Sequence, residues 1–412
     1  MRRTLLLLAA VAALACGPAV PGSGQPAAAR FSPMPLADPG RDRLYLASPG
    51  DPPLLSVVDA NSGAVERTLP RGAAAPDWSR LYSVVKAGGE TQLRVVRTAD
   101  GGLEAEAPVP AWVQGVQLSA NGRWLALTPS LNADARLTRF QLRDSSLQAK
   151  PVDVELPGAF SFDGLSSDGQ RLYLLEWRGN GRYQVRLYEM GQGLLPFVIA
   201  DKSEIGQLMS GTPAASRTSG DGQMQLTLYE RNAKHQAFVH ALPIGSRQQF
   251  AFCIDLPAPD LGWALTAAPD GRRFYAVNQL SGGLVELTET GAADPPKVRK
   301  SQVRTQPAAG LLGRAEAKEP PGAAVAALDP QSSALYLAGE RGVVRVTIRD
   351  LRPAGQAALP SGDRVRSLAF GPSGWLYAIG ENGRLFRIDP NRMTVAWSSG
   401  PQFENLEIAG VA

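Results

Sequence analysis

Two cysteines and two histidines in 412 residues remove several chemistries at once. Cys16 and Cys253 cannot supply the disulfide framework that small exported folds build from four or more cysteines. His235 and His240 have an odd separation, which puts them on opposite faces of a strand. They therefore do not converge as the paired histidines of a catalytic metal site do. Helical periodicity is also missing: beyond the N-terminal segment, no dozen residues carry apolar side chains at i, i+3, i+4 and i+7. With no helix behind them, the Gly clusters are not phosphate-cradling loops. No Gly-x-Ser-x-Gly occurs, and Ser166-Ser167-Asp168-Gly169 reads as a hairpin turn rather than a nucleophile elbow. No long apolar run follows residue 14, so nothing there approaches the ~20 residues of a membrane-spanning helix. Charge is nearly balanced, with 42 Lys and Arg against 38 Asp and Glu, a formal +4. Loss of Arg2 and Arg3 with a leader leaves about +2, which gives no basic surplus for nucleic acid.

What is present begins with an address. Met1-Arg2-Arg3-Thr4 precedes the apolar run Leu5 to Leu14 and then Ala15-Cys16, the order of a basic region, a short hydrophobic region and a small-residue cleavage site. Residues 1–15 are therefore expected to be an export signal. Ala13-Leu14-Ala15-Cys16 resembles the lipobox of bacterial lipoproteins, in which the Cys becomes the lipidated N-terminus; the family usually has Leu where Ala13 stands. The expected location is the outer face of a bacterial membrane, anchored through Cys16. Ordinary cleavage after Ala15, giving a secreted protein, is the alternative. Residues 16–30, rich in Gly, Pro, Ser and Ala, read as a flexible tether. Cys253, in the apolar strand-like Phe250-Ala251-Phe252-Cys253-Ile254, is expected to be a buried, inert thiol.

From residue 31 onward a phrase recurs, a turn followed by a strand opening on Arg or an apolar residue: Arg43-Leu44-Tyr45-Leu46, Arg80-Leu81-Tyr82, Arg123-Trp124-Leu125, Arg171-Leu172-Tyr173-Leu174, Arg273-Phe274-Tyr275, Ala334-Leu335-Tyr336-Leu337 and Trp375-Leu376-Tyr377, with a degenerate copy at Met224-Gln225-Leu226. The steps run from roughly 37 to 61 residues, the period of a four-stranded propeller blade. Within a unit, four short alternating strands are divided by turns such as Ser119-Ala120-Asn121-Gly122, Ser167-Asp168-Gly169 and Pro269-Asp270-Gly271. Residues 31–412 are thus expected to be one all-β propeller domain of eight four-stranded blades, or seven if the unit Thr212 to Leu256 is an excursion. Leu406 to Val411 has strand character and is placed to pair with the first blade. The recurring Tyr45, Tyr82, Tyr173, Tyr275, Tyr336 and Tyr377 follow the structural period, so they are expected to pack between blades rather than stack a ligand.

Ala267-Ala268-Pro269-Asp270-Gly271-Arg272-Arg273-Phe274-Tyr275-Ala276-Val277 and Leu55-Ser56-Val57-Val58-Asp59-Ala60-Asn61-Ser62-Gly63-Ala64-Val65 resemble repeats of the WD40-like and YVTN-type bacterial β-propellers. The likeness covers essentially the whole mature length. The Trp-Asp and Gly-His pairs of eukaryotic WD40 repeats are missing, so what the resemblance implies is architecture, which hosts many functions.

Alternating strand direction places second-to-third-strand turns and blade links at one end. That end collects the variable segments: Ser48 to Pro53, Thr128 to Ala135, Trp177 to Arg182, Arg231 to Gln236 and the stretch after Val303. Variable loops on a rigid scaffold are where binding sites are built, so this rim is the expected working face. Its candidate residues are Glu176, Trp177, Arg178, Glu230, Arg231, Glu340, Arg341 and Glu381. The glutamates at second-strand ends read either as a partial acidic ring for a cation or basic partner, or as exposed pairs contributing about 0–1 kcal/mol each. The excursion at residues 305–322 reads as disordered, with a contact through Leu311 and Leu312 as the alternative. No cofactor or metal motif is recognised. The expected function is a non-catalytic platform for an envelope protein or polymer, touching membrane only through the lipid. The alternative is an exported propeller enzyme of lactonase or quinoprotein type, using carboxylates of the channel.

Overall fold

The computed structural model describes residues 33–48, 53–201, 208–231, 234–257, 261–268, 270–278, 281–291, 294–303, 325–331, 333–339 and 342–412, without the side chain of Ser361. The leader, Cys16, the tether, the 305–322 excursion, Glu340 and Arg341 lie outside them.

The described strands form eight four-stranded antiparallel units, each a meander from an inner to an outer strand. Blade two comprises Ala73–Ala74, Arg80–Ala87, Glu90–Arg97 and Leu103–Val109; blade three, Gly115–Leu118, Trp124–Thr128, Leu137–Asp144 and Val152–Pro157. Blade four runs Phe160–Leu165, Arg171–Trp177, Arg182–Glu189, Gly193–Asp201, and blade five Thr212–Thr218, Met224–Arg231, Gln236–Pro243, Phe250–Asp255. The remaining three begin at Trp263–Ala267, Ala326–Leu328 and Val365–Phe370. The unit at Thr212 to Leu256 is therefore a full blade. It is also joined to blade four, because their outer strands pair in parallel at Ala200 with Phe250 and Asp201 with Ala251. Cys253 lies on that outer strand and is half-buried rather than buried, because an outer strand keeps part of its surface toward solvent.

Blade one is assembled from both ends of this region. Its inner strand is Glu407–Val411, paired antiparallel with Arg43–Ala47, and Leu54–Asp59 and Val65–Pro70 complete it.

Side-chain alternation explains the Leu-Tyr-Leu phrase. Successive residues of a strand point to opposite faces, and here a neighbouring blade covers both faces. Leu44 and Leu46 enter the cluster shared with blade eight, whereas Tyr45 and Ala47 enter the cluster shared with blade two. Likewise Phe274 and Ala276 face blade five and Tyr275 and Val277 face blade seven. All six recurring tyrosines are at most 2% exposed, and burial of each such side chain contributes about 1.5–3 kcal/mol. Several of their hydroxyls also reach polar groups, mostly across a blade boundary. The Tyr173 hydroxyl donates to Ser246 O of blade five (3.1 Å) and that of Tyr336 to Pro390 O of blade eight (3.2 Å). The Tyr377 hydroxyl donates to the buried Asp42 carboxylate of blade one (2.8 Å), which also accepts the Ser373 amide (3.0 Å).

Candidate functional site

The two ends of the blades differ in construction. At the end carrying first-to-second-strand turns, one hydrogen-bond pattern is copied from blade to blade. Ser119 Oγ donates to Asn121 Oδ1 and accepts the Trp124 amide; Ser166 does the same with Asp168 and Arg171, and Ser219 with Asp221 and Met224. Gly169 closes one such turn at φ +72°, where a Cβ would stand 2.4 Å from the Trp124 ring of blade three. These turns are locked and self-satisfied.

The opposite end carries the candidate rim residues. Glu176 pairs with Arg178 (3.0 Å) and Arg186 (2.5 Å) and accepts from Gln184 Nε2 (2.7 Å). Arg186 is buried and also donates to Leu195 O and Phe197 O, so this acid is fixed inside its own blade. Trp177 donates its Nε1 hydrogen to Ser161 Oγ (3.1 Å). Glu230 is buried and its Oε1 accepts the Gly262 amide at the start of blade six (2.8 Å). The Arg231 guanidinium lies 4.2 Å over the Phe238 ring, and Glu381 pairs with Arg364 (3.3 Å). The described glutamates thus share an end of the molecule, yet each is held by different partners. Among the described residues, no three His, Cys, Asp or Glu side chains gather as a ligand set.

A cleft of about 350 Å³ opens at this same end, at blade three. Three separate stretches build it: Trp112 and Gln114 from the link entering the blade; Pro129, Ser130, Asn132 and Ala135 from the second-to-third-strand loop, with Leu137, Thr138 and Arg139 just beyond; and Phe160 at the start of blade four. Backbone bonds fix the walls, from Gln114 N to Thr128 O (2.9 Å) and from Gly158 N to Arg136 O (2.8 Å). Thr138 Oγ1 is committed, donating to Gly158 O (2.8 Å) and accepting the Phe160 amide (3.0 Å). Arg139 is neutralised by Glu155 at 2.7 Å. Trp112 is half-buried, while Leu137 and the adjacent Leu131 are 45% and 49% exposed. The lining therefore offers an aromatic face and aliphatic walls, with Gln114, Ser130 and Asn132 as neutral hydrogen-bonding groups at the mouth. That combination, at this volume, suits burial of an apolar group fixed by a few polar contacts.

Sequence reasoning identified the Thr128 to Ala135 loop but missed Trp112, Gln114, Leu137, Arg139 and Phe160. The available signal was Leu131 and Leu137 flanking an otherwise polar loop, with a Trp in a blade link.

Repeated four-stranded sheets covering each other's faces, with the C-terminal strand completing blade one, define a β-propeller, the architecture that the WD40-like and YVTN-type resemblance implied. No family model and no curated protein matches the chain in sequence. Among solved structures, it is similar to dihydro-heme d1 dehydrogenase NirN in complex with DHE, with a TM-score of 0.51 at 13% identity over 95% of this chain and 78% of that one. It is also similar to apo AztD from Citrobacter koseri, with a TM-score of 0.53 at 10% identity over 90% and 98%. At such identities the shared property is the fold.

Proposed function

We propose that this protein is an exported, lipid-anchored β-propeller that serves as a non-catalytic platform for an envelope protein or polymer, engaging it at the variable-loop end. The blade-three cleft carries this reading. It lies on the expected face, leaves Trp112 and Leu137 accessible, and its one charged lining residue, Arg139, is already paired. Such a surface binds by burial and neutral hydrogen bonds. Export and anchoring rest on the N-terminal signal pattern and Cys16.

Photo-crosslinking from the intact cell surface tests the platform. A photoreactive residue at Leu131 is expected to give adducts of discrete mass that Trp112→Ala abolishes, while the same residue at Gln148, in a turn at the other end, gives none. Equal labelling from both positions would refute the assignment, and Trp112-dependent turnover of a lactone by the purified domain would replace it with the enzymatic alternative. Incorporation of a clickable fatty acid, lost in Cys16→Ala, checks the anchor.

A further inference from the structure

Arginines on the outer parts of the blades are matched to carboxylates: Arg80 with Glu104 (2.7 Å), Arg94 with Glu106 (2.6 Å) and Arg299 with Glu286 (2.6 Å). The innermost strands behave differently. These strands contact one another from blade to blade, as Thr212–Thr218 does with Trp263–Ala267 and Val365–Phe370 with Glu407–Val411, so they line the axis. Most of their residues are small or apolar, but Arg217 sits on the inner strand of blade five. Its register partner Leu226 belongs to the cluster shared with blade six, which aims Arg217 at that blade's inner strand, Trp-Ala-Leu-Thr-Ala, a segment with no charge.

Among the described residues Arg217 makes one hydrogen bond, from Nη1 to the carbonyl of its own neighbour Ser216 at 2.8 Å. A guanidinium has five N–H donors, so four are uncommitted to acceptors among the described residues. The inner strands do carry acids, but elsewhere: Asp163 is buried beside Tyr183 and Tyr229, whose hydroxyls its charge affects, and Glu407 lies in blade one. Burial lowers the Arg217 pKa, to about 10, with no charged neighbour contributing among the described residues; the side chain still carries its charge at neutral pH. The side chain is half-buried rather than buried. An enclosed cation without a counter-charge is costly, and its planar fork fits a two-oxygen acceptor. A second inner-strand arginine, Arg366 of blade eight, donates Nη2 to Glu381 O (3.2 Å) and buries Nη1 without a partner among the described residues.

We infer that the axial channel holds a small oxyanion, a carboxylate or phosphate group, on the guanidinium of Arg217. This site is separate from the blade-three cleft and stands whether or not the platform reading holds. Inorganic phosphate and acetate, each added at constant ionic strength, are the probes, followed by calorimetric titration and by the unfolding midpoint. Phosphate or acetate is expected to bind the wild-type domain and raise its midpoint. Arg217→Gln should lose at least tenfold in affinity while being no less stable than wild type in anion-free buffer, because an uncompensated charge has gone. Arg217→Lys should bind with intermediate affinity, and Trp112→Ala should bind as wild type. Saturation by phosphate alone would identify a phosphate group as the ligand, and by acetate as well a general oxyanion. Equal midpoint shifts in wild type and Arg217→Gln, or no calorimetric binding to wild type, would each overturn the inference. Should Arg217→Gln fail to fold, the same comparison is read from Arg217→Lys, and unchanged affinity there overturns it.

Discussion

The turn end and the loop end of the blades are built from the same strands, yet they spend their polar groups differently. At the turn end, Ser and Asx side chains satisfy the backbone of their own turn, and tyrosine hydroxyls bond across to the next blade. At the loop end of blade three, Trp112, Leu131 and Leu137 keep exposed apolar surface and Gln114 and Ser130 face solvent. One end is therefore where stability is concentrated, and the other is where surface is left for a ligand. Substitutions should separate the two properties cleanly.

Tyr377→Ala is expected to have the largest effect, about 3–5 kcal/mol by denaturant unfolding, because it leaves a cavity beside an Asp42 carboxylate that has lost a donor. Tyr377→Phe removes only the hydroxyl and should cost about 1–3 kcal/mol; no loss in this variant would mean that the hydrogen bond contributes nothing. Gly169→Ala forces a Cβ onto a left-handed backbone and into the Trp124 ring, which should cost about 1–3 kcal/mol by the same measurement. Glu289, buried near the turn end beside the charge of Asp221, has a raised pKa, burial being the larger cause. Its native state binds more protons than its unfolded state above the usual glutamate pKa, so its contribution is full below about pH 4.5 and is lost as pH rises through the folded value. Glu289→Gln should therefore unfold at a higher midpoint than wild type at pH 7, with the gap closing toward pH 4. At the loop end, Leu137→Asn should change stability by no more than about 0.5 kcal/mol while reducing the crosslinking yield from residue 131; a large loss of stability there would erase the distinction between the ends.

Much of the architecture was legible because it is written in local chemistry repeated at one period. Asn121-Gly122 and Asp168-Gly169 announce their turns, and Leu44-Tyr45-Leu46 announces a strand covered on both faces. The strand at Leu406 to Val411 was visible too, as was the end of the blades to which Thr128 to Ala135 belongs. The cleft was not, since Trp112, Leu137 and Phe160 lie in segments that meet only after two blades have packed. Nor was the fate of Glu176: its ties to Gln184 and Arg186 follow from the register that sets Glu176 opposite Gln184, and a shift of one residue would have turned the carboxylate to the other face. Arg217 drew no notice for a related reason. Its character comes from what surrounds it, and composition does not report surroundings.

Pairing Glu407–Val411 with Arg43–Ala47 has a kinetic consequence. Joining segments about 360 positions apart in an otherwise unfolded chain would cost about 5 kcal/mol in loop-closure entropy, more than one short strand returns. The same step is inexpensive once the intervening sheets have stacked and carried the two segments together, so it belongs late in folding. The seam thereby acts as a checkpoint: a misregistered sheet anywhere along the arc displaces one side of it from the other, and the circle stays open.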